Sequence, residues 1–240
     1  MSTTEFERAF FAADPAYDGQ FVAAVRTTGI FCRPSCRVRK PLPKNVTFLA
    51  DADAARTAGY RACLRCHPED AGTVRVREID TPLGRMTIGA THHAVVLCDF
   101  SERRMMPAQL AAIRRRFGPT VDGASPLLER AEAQLREFLA GARRAFDLPL
   151  DMPGSAFQER VWAELRRIPY GKTVAYRELA ARVGAPQAPR AVGRANGSNR
   201  LALIVPCHRV IATGGGLGGY GGGLAAKRWL LDLEATPRAT

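Results

Sequence analysis

Apolar positions along this chain change their spacing several times, and each change marks an element. The run QFVAAVRTTGIF (20–31) is apolar over much of its length and reads as one extended segment delivering the chain to Cys32. VTFLA (46–50) predicts a second strand, and DADAARTAGY (51–60) a short helix with Asp51 or Asp53 near its cap. VRVREID (74–80), RMTIGAT (85–91) and HAVVLCDF (93–100) then predict short strands, with Pro82-Leu83-Gly84 turning the first pair. Helices are expected near 107–117 and 125–140, followed by a strand-like AFDLPL at 145–150. Beyond residue 152 the pattern is mostly helical. Ser155-Ala156-Phe157-Gln158 has capping-box spacing and opens a helix whose apolar stripe includes Phe157, Val161, Trp162 and Leu165. Pro169-Tyr170-Gly171-Lys172 ends it. Residues 174–183 and 189–197 then read as helix, Gly184-centred turn, helix, the spacing of a helix-turn-helix. A short apolar run (LALIV, 201–205), a Gly-rich loop (214–223) and an amphipathic AKRWLLDLE that buries Trp229, Leu230 and Leu233 complete the chain.

This pattern predicts an α+β multidomain protein of three units: a small four-cysteine domain (1–72), a small α/β unit (73–151) and a helical domain (152–240). At 240 residues, 46% hydrophobic and 24% charged, the composition is that of a globular protein with real cores. No apolar run approaches a membrane span, and MSTTEFERAF lacks the basic start and apolar core of a signal peptide. A cytoplasmic protein without a membrane partner is expected.

Charge narrows the partners. The formal net charge is +12, and residues 152–240 carry 13 basic against 5 acidic side chains, so +8 of it lies there. A basic surface of this kind suits a polyanion, most plausibly nucleic acid. Because only four of the basic residues are Lys, a generally Arg-rich composition is the competing explanation.

With no export signal, the six cysteines are expected to be thiols, metal ligands or nucleophiles. Cys32-x3-Cys36 and Cys63-x2-Cys66, separated by 26 residues, form two close pairs that suit a tetrahedral Zn²⁺ site. Such a site is either purely structural or chemically active, because a zinc-bound thiolate stays deprotonated and nucleophilic. Spacing does not choose between them. His67 adjoins a ligand but is not needed to fill the tetrahedron. The run GIFCRPSCRVRKPLPKNVTFLADADAARTAGYRACLRCHPED (29–70) resembles the zinc-binding N-terminal domain of the Ada DNA-repair proteins. That resemblance implies that Cys32 accepts a methyl group from methylphosphotriesters in DNA.

Cys98, in an apolar strand, reads as a buried structural thiol. Cys207 differs, since His208 is its neighbour and Glu234 offers a carboxylate to orient that His. In the segment before it, Ala191, Gly193, Ala195 and Gly197 make a helix able to approach a backbone closely, and Arg190 and Arg194 give it a basic edge. RAVGRANGSN, IVPCHRVI and LGGYGGGLAAKRWLLDLE together resemble the O6-alkylguanine-DNA alkyltransferases. The resemblance extends over about residues 75–236. It implies a ribonuclease H-like middle subdomain and a winged helix-turn-helix-like active-site domain.

The resemblance also implies roles. Cys207 would accept the alkyl group from O6-methylguanine, with O4-methylthymine as a second candidate. His208 would deprotonate it through a water, Glu234 would hold His208, and Asn199 would brace the turn. Arg190 would enter the base stack, Tyr176 would rotate the 3′ phosphate, and Tyr220 and Gly221 would wall the base pocket. The implied partner is double-stranded DNA carrying alkylation lesions, bound by a monomer that acts once per cysteine.

Arg200 stands where many relatives have Pro, which is expected to loosen the turn. Gly221 replaces a commoner polar residue. The AraC-type domain of the regulatory Ada proteins has no room between Cys66 and the strand at 74, so promoter activation is not expected. The rival reading keeps the zinc domain as a structural DNA-binding or damage-sensing module.

Overall fold

The computed structural model describes residues 2–70, 73–91 and 93–236, so the boundary expected at 72/73 adjoins residues outside that set. The chain opens with α1 (Thr3–Ala12), capped by Ser2 and burying Ala9 and Phe10. The segment 20–31 is not one extended run. Polar Arg26-Thr27-Thr28 and Gly29, at φ +64°, fold it into a hairpin of β1 (Val22–Val25) and β2 (Ile30–Cys32), with Ala24 opposite Phe31. β3 (Val46–Leu49) pairs antiparallel to β1, and β4 (Arg61–Ala62) pairs parallel to β2, giving the order β3-β1-β2-β4. The helix read at 51–60 is α2 (Ala52–Thr57), and Asp51 is its cap, accepting from Ala54 N at 2.8 Å. An aromatic cluster fills this part, with Phe6 stacked on Phe21 at 4.2 Å between ring centroids.

The three expected strands form as β5 (Val74–Thr81), β6 (Gly84–Ala90) and β7 (Val95–Phe100). α3 (Met106–Phe117), β8 (Thr120–Asp122) and α4 (Pro126–Leu139) follow, and the sheet order is β7-β6-β5-β8. β7 is buried along its whole length and carries Cys98, Asp99 and Phe100 into the interior. The expected strand at 145–150 does not form. It keeps one bridge, Val95 to Leu150, while Pro149 has no N–H for a ladder and Asp147 N is taken by the Gln134 side chain at 2.9 Å.

α5 (Ala156–Arg166) begins with the predicted capping box between Ser155 and Gln158, and buries Val161, Trp162 and Leu165. β9 (Val174–Ala175) leads into α6 (Tyr176–Arg182), and α7 (Pro189–Gly197) completes the helix pair. Trp162 Nε1 donates to Ala195 O at 2.8 Å and fixes α5 against α7. The apolar run 201–205 forms buried turns instead of a strand. Leu203 takes φ +67° and turns the chain back, after Ala202 N bonds Cys98 O at 2.6 Å. Arg200 donates to Pro153 O, so this turn gains a tether where loosening was expected. β10 (Val210–Ile211) pairs parallel to β9, and α8 (Gly223–Ala235) ends the described chain, burying Leu230 while Trp229 and Leu233 are half-buried.

By contacts the chain divides into two compact units, residues 1–75 with 110–121 and residues 76–109 with 122–240. No helix among the described residues is long and apolar enough to cross a membrane.

Gly171, in the turn before β9, sits at φ +71°, and a Cβ there would lie 2.8 Å from Glu234 O. Gly171→Ala should therefore lower stability by about 1–3 kcal/mol, since both strain and a backbone clash oppose it. An unchanged thermal midpoint would show that this turn is not the constraint described.

Candidate functional sites: a four-cysteine centre and a buried cysteine pocket

β2 ends on Cys32, the next turn carries Cys36, β4 delivers Cys63, and the turn after it holds Cys66. All four are buried, and their sulfurs lie within 4.8 Å of one another. A tetrahedron with Zn–S bonds of about 2.3 Å has S···S edges of about 3.8 Å, so the donor set fits a zinc ion with small adjustments. Four thiols so crowded share protons. Their mutual hydrogen bond pushes Cys32 up and holds Cys36 well below the usual thiol range. Lys40 Nζ donates to Cys36 O at 2.8 Å, placing a cation beside the centre. Cys32 and Cys63 line a cavity of about 570 Å³ whose wall includes Arg39 and Lys40, whereas Cys36 and Cys66 line a different one. His67 is partly exposed at φ +45°, with Nδ1 3.9 Å from Glu69.

Cys207 begins a 3-10 turn, Cys207–Arg209, and is 7% exposed. The turn is braced by Asn199, which accepts from Leu201 N at 2.9 Å and donates to Val205 O at 2.8 Å. Burial pushes the Cys207 thiol up to about 11, with the Asn199 hydrogen bond working against it. The thiol is therefore mostly protonated at neutral pH and needs a base. His208 is fully buried beside it. Burial lowers its pKa and favours neutral imidazole, its Nε2 lies 2.8 Å from Glu234 Oε1, and its Nδ1 has no protein partner among the described residues.

Tyr176, Gly193, Tyr220 and Gly221 line a cavity of about 370 Å³ with Cys207. Arg190 and Arg194 do not line it. They are exposed on α7, with Ala191 half-buried between them. The Tyr220 hydroxyl is buried without a protein partner among the described residues. Cys98 is fully buried, as read.

Sequence reasoning missed three groups. Arg209 is buried, donating from Nε to Glu234 Oε2 at 2.9 Å and from Nη1 to Ile168 O at 2.6 Å. Its position next to the Cys-His pair was the available signal. Lys227 is 0% exposed, donating to Val210 O at 2.5 Å and also to Leu217 O, and burial lowers it to about 8. It is one of four lysines in an Arg-rich chain, yet its helix reads as an ordinary amphipathic surface helix. Arg103, paired with Asp99, also lines the Cys207 cavity, and no sequence pattern announces it.

Burial pushes Glu234 up, but hydrogen bonds from His208 and Arg209 outweigh it and hold the carboxyl at about 2, against its ordinary 4.5. Between those values the unfolded state binds more protons than the folded one. This carboxylate's stabilisation is therefore fully present above about pH 4.5 and is lost as pH falls toward about 2. Glu234→Gln should destabilise the protein at pH 7 and flatten that acid slope, read by urea unfolding at several pH values. Parallel curves for the two proteins would contradict the assignment. For the metal centre, native mass spectrometry should find one zinc per chain, lost in Cys63→Ala. Full zinc retention in that variant would exclude this ligand set.

A family model described as the metal binding domain of Ada matches residues 5–69. A second, described as the DNA binding domain of 6-O-methylguanine DNA methyltransferase, matches residues 156–236. The bifunctional transcriptional activator/DNA repair enzyme Ada of Escherichia coli (strain K12) is 32% identical over 333 aligned positions, covering 93% of this chain and 94% of that protein. The alignment is longer than this chain, so that relative holds residues with no counterpart here. A methylated-DNA–protein-cysteine methyltransferase of Mycobacterium bovis is 44% identical, covering 67% of this chain and 92% of its own. The crystal structure of Mycobacterium tuberculosis OGT in complex with DNA is 43% identical with a TM-score of 0.57, covering 68% of this chain and 92% of that one. The four thiolates are accordingly a Zn²⁺ site, and the mixed α/β fold around Cys207 is that of the methyltransferases. Since the Escherichia coli enzyme aligns across nearly the full length of both chains and the methyltransferase across two thirds of this one, the protein belongs to the family of the Ada DNA-repair enzymes and methylated-DNA–protein-cysteine methyltransferases.

Proposed function

We propose that this protein repairs alkylated double-stranded DNA by moving alkyl groups irreversibly onto its own cysteines. Cys207 takes them from O6-methylguanine, with O4-methylthymine as a second substrate, and Cys32 takes methyl groups from methylphosphotriesters. The observation that carries the reading is the buried line of groups behind Cys207, with the thiol in a cavity, His208 beside it, and Glu234 2.8 Å from His208 Nε2.

In the proposed reaction His208, through a water at Nδ1, takes the Cys207 proton, and Glu234 stabilises the imidazolium that forms. The thiolate displaces O6 from the alkyl carbon: the S–C bond forms and the C–O6 bond breaks. The electron pair leaves with guanine, which takes a proton at N3 from the Tyr176 hydroxyl. Asn199 holds the turn that presents the thiol. The product is a thioether that no group in the site can hydrolyse, so each cysteine acts once. Reaching O6 requires the nucleotide to be rotated out of the duplex. Exposed Arg190 would enter the vacated stack, Arg194 would meet phosphate, and small Ala191 and Gly193 would let α7 approach a minor groove closely. Tyr220 and Gly221 would wall the base.

At the other head Cys32, Cys36, Cys63 and Cys66 hold Zn²⁺, which keeps bound sulfur as thiolate at neutral pH. Cys32 faces the cavity walled by Arg39 and Lys40, a setting suited to a DNA phosphate. We further propose three domains, 1–72, 73–151 and 152–240, the second ribonuclease H-like and the third winged helix-turn-helix-like. The two family matches, 5–69 and 156–236, fall inside the first and third. The protein would act as a monomer in the cytoplasm.

The test is intact mass and peptide mapping after incubation of the zinc-loaded protein with duplex DNA holding both lesions. One methyl on the Cys207 peptide and one on the Cys32 peptide are expected, with Cys207→Ser losing the first alone. Methyl on Cys207 only would reduce the zinc domain to a structural or DNA-binding module. No methyl on either would overturn the reading.

A further inference from the structure

Gly221, in the wall of the Cys207 cavity, lacks the left-handed backbone that explains many glycines. What forbids a side chain there is Arg103. A Cβ at residue 221 would lie 2.7 Å from Arg103 Cζ and 2.8 Å from its Nε. The guanidinium therefore occupies the space that a side chain at 221 would fill.

That guanidinium is not free to swing away. It pairs with the Asp99 carboxylate on β7, which is 0% exposed and also accepts from Gln109 Nε2 at 2.8 Å and from Phe100 N at 2.9 Å. Nη1 donates to Asn199 O at 3.0 Å, and Nη2 donates to Gly197 O, the last residue of α7. A cation at the carbonyl end of a helix is held by the unpaired carbonyls and the helix dipole. A buried ion pair and two backbone carbonyls thus fix one wall of the cavity. Tyr176 and Gly193 stand on another part of its lining.

We propose that Arg103 is the specificity-determining residue of the acceptor pocket, its clamped guanidinium setting how large an O6 substituent reaches Cys207. The proposal rests on Cys207 being the alkyl acceptor. A methyl group needs little room beside the sulfur. A butyl group must place three further methylenes against a charged, immobile wall, which neither yields nor offers an apolar surface. The same clamp joins the pocket wall to the C-terminal end of α7, so a change at residue 103 or 221 is felt by both.

The experiment compares single-turnover transfer from duplexes holding O6-methylguanine or O6-butylguanine, read by intact mass. Arg103→Lys keeps a cation for Asp99 but loses the planar fork and the width of the guanidinium. The butyl-to-methyl rate ratio should rise about tenfold in this variant, the scale on which pockets discriminate by small apolar groups. Gly221→Ala approaches the contact from the other side, forcing the clamped group into the pocket, and should lower the same ratio. In the double variant the two effects should be non-additive, because the groups touch. If Arg103→Lys melts early, Gly221→Ala alone decides, since it keeps both Arg103 and Asp99. A ratio unchanged from the parent protein in folded variants overturns the role of Arg103. Absence of methyl transfer in the parent protein is a separate result and overturns the reading of Cys207 instead.

Discussion

The Glu234 carboxylate receives hydrogen bonds from His208, from two nitrogens of Arg209 and from the backbone N–H of Gly171. A carboxylate taken out of water is tolerated only when its oxygens are satisfied and its charge is opposed, and both conditions are met here. The dependence runs outward. Arg209 carries the constraint to Ile168 O at the end of α5, and Gly171 must be glycine because the Glu234 backbone passes so close. His208 is held in one ring orientation next to the thiol. The base of the proposed reaction is thus positioned by the same group that ties α8 to the turn before β9.

The four-cysteine centre follows a related logic with a different partner. Each sulfur comes from a strand end or a tight turn. A bound Zn²⁺ supplies the charge that such crowded thiolates need, and ligand binding of this kind is folding free energy for a small domain.

Much of this was legible in the sequence, and the failures have particular causes. The cysteine spacings and the PCHRV motif announced both sites, because ligand and nucleophile chemistry requires fixed residue types at short range. The capping box at Ser155 and the cap at Asp51 were readable because they are local. The segments 145–150 and 201–205 look like strands by apolar content. One is spent on Gln134 and a proline, and the other is turned back at Leu203, which are outcomes of partners distant in sequence. α1 carries Phe6 and Phe10 four residues apart on one face, a helical spacing that went unread beside the cysteine motifs. Arg103 and Lys227 were invisible for a further reason. Charged side chains read as surface until a structure shows which carbonyls they have been folded against.

Lys227 reaches beyond its own helix. The stretch from residue 214 to 223 is almost without side chains that could anchor it, yet its Leu217 and Gly219 carbonyls are gathered by one ammonium that also holds Val210 O. Lys227 and Glu234 sit seven residues apart on α8, close to two full turns, so both face inward. One helix is therefore the common axle of the loop that walls the pocket and of the carboxylate that steers the histidine. Adding a single residue between them would turn one about 100° from the other. The spacing along this axle, more than the identity of the residues between, is what keeps pocket and base in phase.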